Sequence, residues 1–184
     1  MLKVDVNERL SQTVMEIRQL LGQYELELGR YSAEQLTAVP IVGSWSIGQV
    51  YNHLIDATLR LHLRAIDQCA AAEETTGGAK TEGGEVIYRA GAFPPIKIKV
   101  PDSAGYTPLQ PTDRQQLIDG LHQVSFELDA AQRTAAGSDP QSKVEHPGLG
   151  WLNAEEWLQL VKMHFNHHLR QKAELDAALG MSAI

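Results

Sequence analysis

Apolar residues recur at three- and four-residue steps in four long segments of this chain, which places them on one face of an α-helix in each segment. The first segment, residues 6–29, shows the pattern most clearly, and the others are residues 47–72, 112–137 and 153–180. In the first segment the apolar positions are Leu10, Val14, Ile17, Leu21, Tyr24 and Leu28. Two short connections and one long connection join these helices. This order predicts an all-α protein, a four-helix bundle that forms a single domain over residues 1–184.

Polar residues that cap helices mark where the predicted helices begin. Ser46 followed by Gln49 matches a capping box, and residues 112–115 match a second one. Asn153 is placed to cap the last helix, whose first turn is acidic. Residues 32–35 are predicted to add one helical turn to the connector after the first helix.

The connection between the second and third helices, residues 74–111, has a different composition from the helices. It contains repeated glycines and five prolines, which predict turns throughout. Apolar and polar residues alternate over residues 96–100, which is typical of a short strand or extended run. A connection this long in a compact domain is often a lid or a pocket wall. Before the last helix, residues 138–152 are predicted to form a polar loop.

Composition excludes several classes of protein. The formal net charge is −7 with no long run of one sign, which argues against a nucleic-acid-binding face. Cys69 is the only cysteine, so neither a disulfide within the chain nor a thiolate-rich zinc knuckle can form. No apolar stretch predicts a signal peptide or a membrane span. We therefore expect a cytoplasmic protein that binds neither nucleic acid nor membrane.

Three histidines are the leading candidates for chemistry. His164 and His168 lie four residues apart on the apolar face of the last helix, and His53 lies at the inward edge of the second helix. The apolar stripe of that second helix is Ile47, Val50, Leu54, Ala57, Leu61 and Ala65. Buried imidazoles need partners, and a divalent metal would satisfy all three while leaving positions open for water or substrate.

Other interpretations of the same residues remain open at this point. Carboxylates, carbonyls or water can satisfy buried histidines without a metal. His167 could replace one of the candidate ligands. A zinc-protease pattern is excluded, because Phe165 stands where that pattern requires glutamate.

The chain resembles the DinB/YfiT-like superfamily in several blocks. Residues 45–54, WSIGQVYNHL, are similar to the second-helix segment of that family, and residues 146–152, HPGLGWL, to the segment before its last helix. Glu156 and Trp157 and then residues 164–171 follow in the order and separation of the family. The resemblance spans nearly the whole chain, although the long connection departs from the shorter one of the family.

This resemblance implies a metal site formed by His53, His164 and His168, filled by zinc, nickel or another divalent ion. It also implies a homodimer. Some relatives are thiol transferases or isomerases, so it implies a metal-dependent transferase that uses a low-molecular-weight thiol, or a hydrolase that activates water. The alternative is a non-catalytic, dimeric binding bundle whose metal site is structural or vestigial. No general base, phosphate-binding loop or dinucleotide fingerprint is found in the sequence.

Further residues are candidates of lower rank. Asp56 and Gln171 each lie one turn from a candidate ligand and could orient its imidazole, although a solvated position is the simpler interpretation. Lys97 and Lys99 could attract an anionic substrate or protect an exposed edge. His146 is expected to serve a turn. The three tryptophans are interpreted as core or pocket-wall residues (Trp45, Trp151, Trp157). His62 and His122 are interpreted as ordinary surface or partly buried positions.

Overall fold

The first bundle helix shows how closely the sequence pattern matches the fold. In the computed structural model, which describes residues 5–72, 77–95 and 106–181, this helix spans Val6–Leu28 and buries every apolar position of its predicted stripe. The described elements in chain order are α1 (Val6–Leu28), α2 (Ala33–Thr37), α3 (Ile47–Ala57), a π-helical turn (Thr58–His62), α4 (Leu63–Ala71), α5 (Glu82–Ala90), α6 (Arg114–Gly137), β1 (Lys143–His146), β2 (Gly150–Asn153) and α7 (Ala154–Ala178). The four-helix bundle is confirmed, with α3, the π-helical turn and α4 acting as one bundle helix.

The bundle helices do not pack in the simple order of the chain. Helix α1 packs along α6 and α7, and the α3–α4 helix packs along the same two helices, so the first two bundle helices occupy opposite corners. They meet at the centre, where the Tyr51 hydroxyl donates a hydrogen bond to the carbonyl oxygen of Tyr24 at 2.7 Å. The Tyr24 hydroxyl in turn donates to the carbonyl oxygen of Phe165 on α7 at 2.8 Å. These contacts fix α3 relative to α7, the two helices that carry the candidate histidines.

The π-helical turn changes which residues of the second bundle helix face the core. The sequence stripe placed Leu61 inside, but Leu61 is 41% exposed and His62 is 3% exposed. A π-helical turn inserts one extra residue, which rotates the following residues around the helix axis. The predicted inward position of Leu61 is therefore wrong, and so is the assignment of His62 to an ordinary, at most partly buried position.

Two elements form where the sequence predicted only loop. Helix α5 lies within the long connection, with the Thr81 hydroxyl accepting from the Gly84 amide at its start. Strands β1 and β2 pair antiparallel, with Lys143 opposite Asn153. Both elements are short and depend on each other, because the Thr81 amide donates to the carbonyl oxygen of Leu149 between the strands. Such contacts are tertiary, and local periodicity does not predict them.

The remaining predictions concern helix starts, the extended run over residues 96–100 and membrane spans. The Ser46 capping box and the Asn153 N-cap are confirmed, and the turn near residues 32–35 is α2, capped by Ser32. Helix α6 begins one residue later than its capping box predicted, because the side chain of Asp113 accepts from the Gln116 amide. The predicted extended run over residues 96–100 lies outside the described residues. Within the described part of the chain, no helix is long and apolar enough to cross a membrane.

Candidate metal centre

Helices α3 and α7 bring the three predicted histidines together. The capping box at Ser46 sets the start of α3, and the fully buried Val50 and Leu54 fix the face beside which His53 projects. Helix α7 begins at its own capping box and carries His164 and His168 one turn apart. The three side chains, contributed by two distant segments, converge at one point inside the bundle.

The spacing of the imidazole nitrogens fits one shared cation. The Nε2 atom of His164 lies 3.0 Å from Nε2 of His53 and 3.0 Å from Nε2 of His168. One ligand atom from each residue can be chosen so that all three lie within 4.8 Å of one another. Imidazole nitrogens bound to one zinc ion at about 2.0–2.1 Å are separated by about 2.9–3.4 Å at octahedral to tetrahedral angles. The two 3.0 Å separations fall in that range.

Gln171 sets the tautomer of one candidate ligand. Its side-chain carbonyl oxygen lies 2.7 Å from Nδ1 of His168. Because an amide oxygen can only accept, Nδ1 of His168 carries the proton and Nε2 keeps its lone pair. Metal-binding histidines in proteins are held in this way by a hydrogen bond to the other ring nitrogen.

Hydrogen bonding among the histidines alone leaves buried polar atoms unsatisfied. The Nδ1 atoms of His53 and His164 are buried and have no hydrogen-bond partner among the described residues. A metal bound through Nε2 would also leave the proton of each ring on Nδ1, so these two atoms bear on how the rings are oriented and not on the choice between metal and hydrogen bonding. The observation that favours a cation is the convergence of three Nε2 atoms at one point, where their lone pairs can bind it. The residues present therefore fit a divalent metal.

Burial keeps these imidazoles neutral. Desolvation lowers the pKa of His53 to about 4 and that of His168 to about 3, and it lowers the pKa of His164 well below the ordinary value. The nearby Asp56 carboxylate acts in the opposite direction on His53 but does not overcome burial. Neutral imidazole is the form that binds a metal, so the site is ready for a cation near neutral pH.

Two aromatic side chains stand beside the histidines on the side that faces solvent. The Trp45 ring lies 5.0 Å from the His53 ring and stacks nearly parallel to His168, with ring centroids 6.4 Å apart. The Tyr106 ring is 6.0 Å from His53, and this residue is 60% exposed. These two rings give this side of the candidate site an aromatic surface.

Asp56 lies between the histidines and an open groove on the surface. Its carboxylate pairs with Arg60 at 3.1 Å, and both residues line a groove of about 810 Å³ between α3 and α6. None of the three convergent histidines lines this groove. Asp56 makes no hydrogen bond to a candidate ligand, and acts on His53 only through its charge.

The other candidates from the sequence lie apart from the three nitrogens. The His167 ring packs against Phe93 at 5.2 Å and does not belong to the convergent group. His146 serves the turn between the strands, where its Nδ1 accepts from the amides of Gly148 and Leu149. His122 faces Glu25 at the surface. Lys97 and Lys99 lie outside the described residues.

Sequence reasoning missed His62, whose ring centroid lies 5.4 Å from that of His164. Its Nδ1 is buried without a hydrogen-bond partner among the described residues, and burial lowers its pKa to about 3. No clear signal in the sequence could have found it. Leu59, Leu61 and Leu63 alternate here, so either helical register offers a leucine to the core.

Comparisons with known proteins bear on the family and the fold of this chain. Residues 9–171 match the family model of the DinB superfamily. The solved structure of YfiT from Bacillus subtilis, described as a probable metal-dependent hydrolase with an unusual four-helix bundle topology, is similar with a TM-score of 0.64 and 18% sequence identity. The match covers 99% of this chain and 93% of that one. No curated protein sequence matches this chain.

Proposed function

This chain belongs to the DinB superfamily, and from that premise we propose that it is a metalloprotein that binds one divalent ion through His53, His164 and His168. The observation that carries the proposal is the pair of 3.0 Å separations between Nε2 atoms contributed by two distant helices. Zinc and nickel are the ions that the family resemblance implies, and neutral imidazole suits both, as it also suits copper and iron.

We propose further that the site is catalytic, as a hydrolase or as a transferase that uses a low-molecular-weight thiol. Three neutral ligands leave the ion its full charge, and when bound it supplies Lewis-acid chemistry that lowers the pKa of a water or thiol. Gln171 holds the His168 ring in the ligating tautomer. Trp45 and Tyr106 provide the walls against which the organic part of a substrate can pack.

The metal itself is tested by the content and affinity of the purified protein. Protein stripped with a chelator and titrated with Zn²⁺ or Ni²⁺ should bind one ion per chain, as measured by calorimetry and elemental analysis. His53→Ala, His164→Ala and His168→Ala should each weaken binding, whereas the surface variant His122→Ala should not. Wild-type protein that binds neither ion would refute the proposal.

The pairing of Asp56 favours a second candidate function, a bundle in which the metal is structural. The carboxylate that acts on His53 is paired with Arg60 and makes no hydrogen bond to a candidate ligand, so it is not positioned as an acid–base partner of the site. A large loss of melting temperature on chelation, without hydrolase or thiol-transferase activity, would favour this alternative. Activity lost on chelation with little change in melting temperature would favour the enzyme.

The substrate and the assembly are separate parts of the proposal. A panel of low-molecular-weight thiols with electrophilic partners, and of ester and amide substrates, distinguishes transfer from hydrolysis. We propose a homodimer, as the family resemblance implies, and sedimentation velocity at several concentrations measures it. A monomer at all concentrations would remove the dimer without affecting the metal site.

A further inference from the structure

Four buried side-chain nitrogens have no hydrogen-bond partner among the described residues, and all lie in or next to the candidate metal centre. They are His53 Nδ1, His62 Nδ1, Trp157 Nε1 and His164 Nδ1. An unsatisfied buried polar atom costs about 1–3 kcal/mol, so a cluster of them is not an accident of packing. Their arrangement around His62 is the feature that the proposed function leaves unexplained.

The protonation state of a metal-bound site decides which of these atoms donate. A histidine that ligates through Nε2 carries its proton on Nδ1, so Nδ1 of His53 and Nδ1 of His164 become donors. The indole Nε1 of Trp157 can only donate. His62 Nδ1 is then the single atom of the four that can accept a hydrogen bond.

His62 also has the right position relative to His164. The two ring centroids lie 5.4 Å apart, with the rings edge-on at 73°. A direct N–H···N hydrogen bond of about 2.9 Å between two imidazoles places their centroids about 5 Å apart, so the observed 5.4 Å is close to the separation of a hydrogen-bonded pair. On its other side the His62 ring lies 6.0 Å from Trp157.

The π-helical turn at the end of which His62 lies brings this residue to its position beside His164. In a regular α-helix the neighbouring leucine would face the core, and the π-helical turn at Thr58–His62 presents the histidine instead. Single π-helical turns inside α-helices occur frequently at functional sites. A buried leucine in this position would contribute only apolar packing. The π-helical turn instead places an imidazole beside a candidate ligand.

We infer that His62 is a positioning residue for the metal ligand His164, accepting a hydrogen bond from its Nδ1–H and thereby holding its Nε2 toward the ion. This inference rests on the proposed metal site. His62 then has the same relation to His164 that Gln171 has to His168, so both ligands on α7 are oriented by a partner. His62 itself binds neither metal nor substrate.

The test compares variants of His62 by their affinity for metal and by the spectrum of bound Co²⁺. His62→Leu removes the acceptor, and we expect it to bind Co²⁺ about 10–100-fold more weakly and to show a changed visible absorption spectrum. His62→Asn keeps an oxygen acceptor near the position of Nδ1 and should recover most of the affinity and the spectrum. If His62 only filled space in the core, the polar variant His62→Asn would not recover the Co²⁺ affinity and spectrum.

Two controls keep the result interpretable. Thr58→Val alters the same π-helical turn, where the threonine hydroxyl donates to the Leu54 carbonyl at 2.8 Å, without touching His62. It should leave the Co²⁺ affinity near that of the wild type, and circular dichroism checks that each variant is folded. Wild-type binding with an unchanged His62→Leu variant, or a Thr58→Val variant as weak as His62→Leu, overturns this inference alone. Wild-type protein that binds no metal overturns both the inference and the proposed function.

Discussion

Two buried polar clusters lie on successive turns of α7, and they differ in how their polar atoms are satisfied. In the first, the Lys172 ammonium, whose side chain is 3% exposed, pairs with Glu27 of α1 and with Asp176 of α7, the latter at 2.7 Å. Asp176 also accepts from the Tyr31 hydroxyl at 2.6 Å. We call these four residues the lysine cluster, and every charge in it has a partner within the protein.

The second cluster begins one turn earlier on the same helix, at His168, and includes His53, His62 and His164. Here the buried Nδ1 atoms of three of the four imidazoles have no hydrogen-bond partner among the described residues. No opposite charge among the described residues holds the three convergent Nε2 atoms together. We call this group the histidine cluster.

The two clusters therefore differ in how many of their buried polar atoms have partners among the described residues. Burying a charged or polar group costs free energy, and its partners offset that cost, so removing one partner from a complete cluster is strongly destabilising. The lysine cluster is complete, and we expect it to respond in this way. Among the described residues the histidine cluster lacks such partners, and this difference supports the proposed metal site. Each prediction below changes one cluster and measures whether the other behaves differently.

The largest predicted effect is the loss of stability that acid causes through the histidine cluster. Its imidazoles have a pKa of about 3 to 4, or well below the ordinary value for His164, against 6.5 for an ordinary histidine. Between pH 6.5 and about 4 the unfolded chain therefore binds protons that the folded protein does not. The free energy of unfolding of the metal-free protein should fall with falling pH, by about 1.4 kcal/mol per pH unit for each such imidazole.

Urea denaturation at several pH values measures this slope. His164→Leu removes one of the imidazoles and should make the slope shallower. A free energy of unfolding that stays constant from pH 6.5 to 5 would contradict neutral burial of the cluster.

Breaking the lysine cluster should destabilise the protein without any metal. Lys172→Met leaves the carboxylates of Glu27 and Asp176 buried without their cation, and we expect a loss of about 3–5 kcal/mol in the free energy of unfolding. The matched control is Lys162→Met on the same helix, whose pair with Glu16 is partly exposed. That variant should change stability by no more than about 1 kcal/mol. Equal effects of the two substitutions would show that the buried lysine cluster is no more important for stability than a partly exposed ion pair.

The sequence predicted the parts of this molecule that depend on local pattern. The stripe of α1, the capping box at Ser46 and the N-cap at Asn153 are set by residues within a few positions of each other, and the structure has them as predicted. The pairing of His164 with His168 on one face of α7 is likewise a local consequence of helical spacing.

The parts that the sequence did not predict depend on distant contacts. Helix α5 and strands β1 and β2 are short elements that stabilise each other, so no periodicity marks them. His62 is buried because a π-helical turn shifts the helical register within a leucine-rich segment that fits either register. The convergence of His53 with the α7 histidines follows from helix packing, which the sequence could indicate only through its resemblance to a family.

Filling the histidine cluster should stabilise the wild type by a smaller amount. Metal at about 100 times its dissociation constant should raise the free energy of unfolding by about 2.7 kcal/mol. His164→Leu should lose this increase. It should also unfold no more easily than the metal-free wild type, because it removes a buried nitrogen that has no partner. A strong destabilisation of metal-free His164→Leu would mean that the histidine cluster, like the lysine cluster, is structural.

The smallest effect is expected where the two clusters adjoin, at Gln171, which precedes Lys172 and accepts from Nδ1 of His168 at 2.7 Å. Gln171→Leu should weaken metal binding by about 10-fold, at the lower end for partners of metal ligands, because only one of three imidazoles loses its orientation. Gln171→Glu keeps an acceptor and should bind metal at least as tightly as wild type. Gln159→Leu, earlier on α7, removes a side chain that donates to Glu155 and serves as the control in the same calorimetric titration. If Gln171→Leu bound metal as tightly as this control, the hydrogen bond to His168 would not orient the ligand. The contact between His62 and His164 would then be the one remaining candidate for orienting a ligand of the histidine cluster.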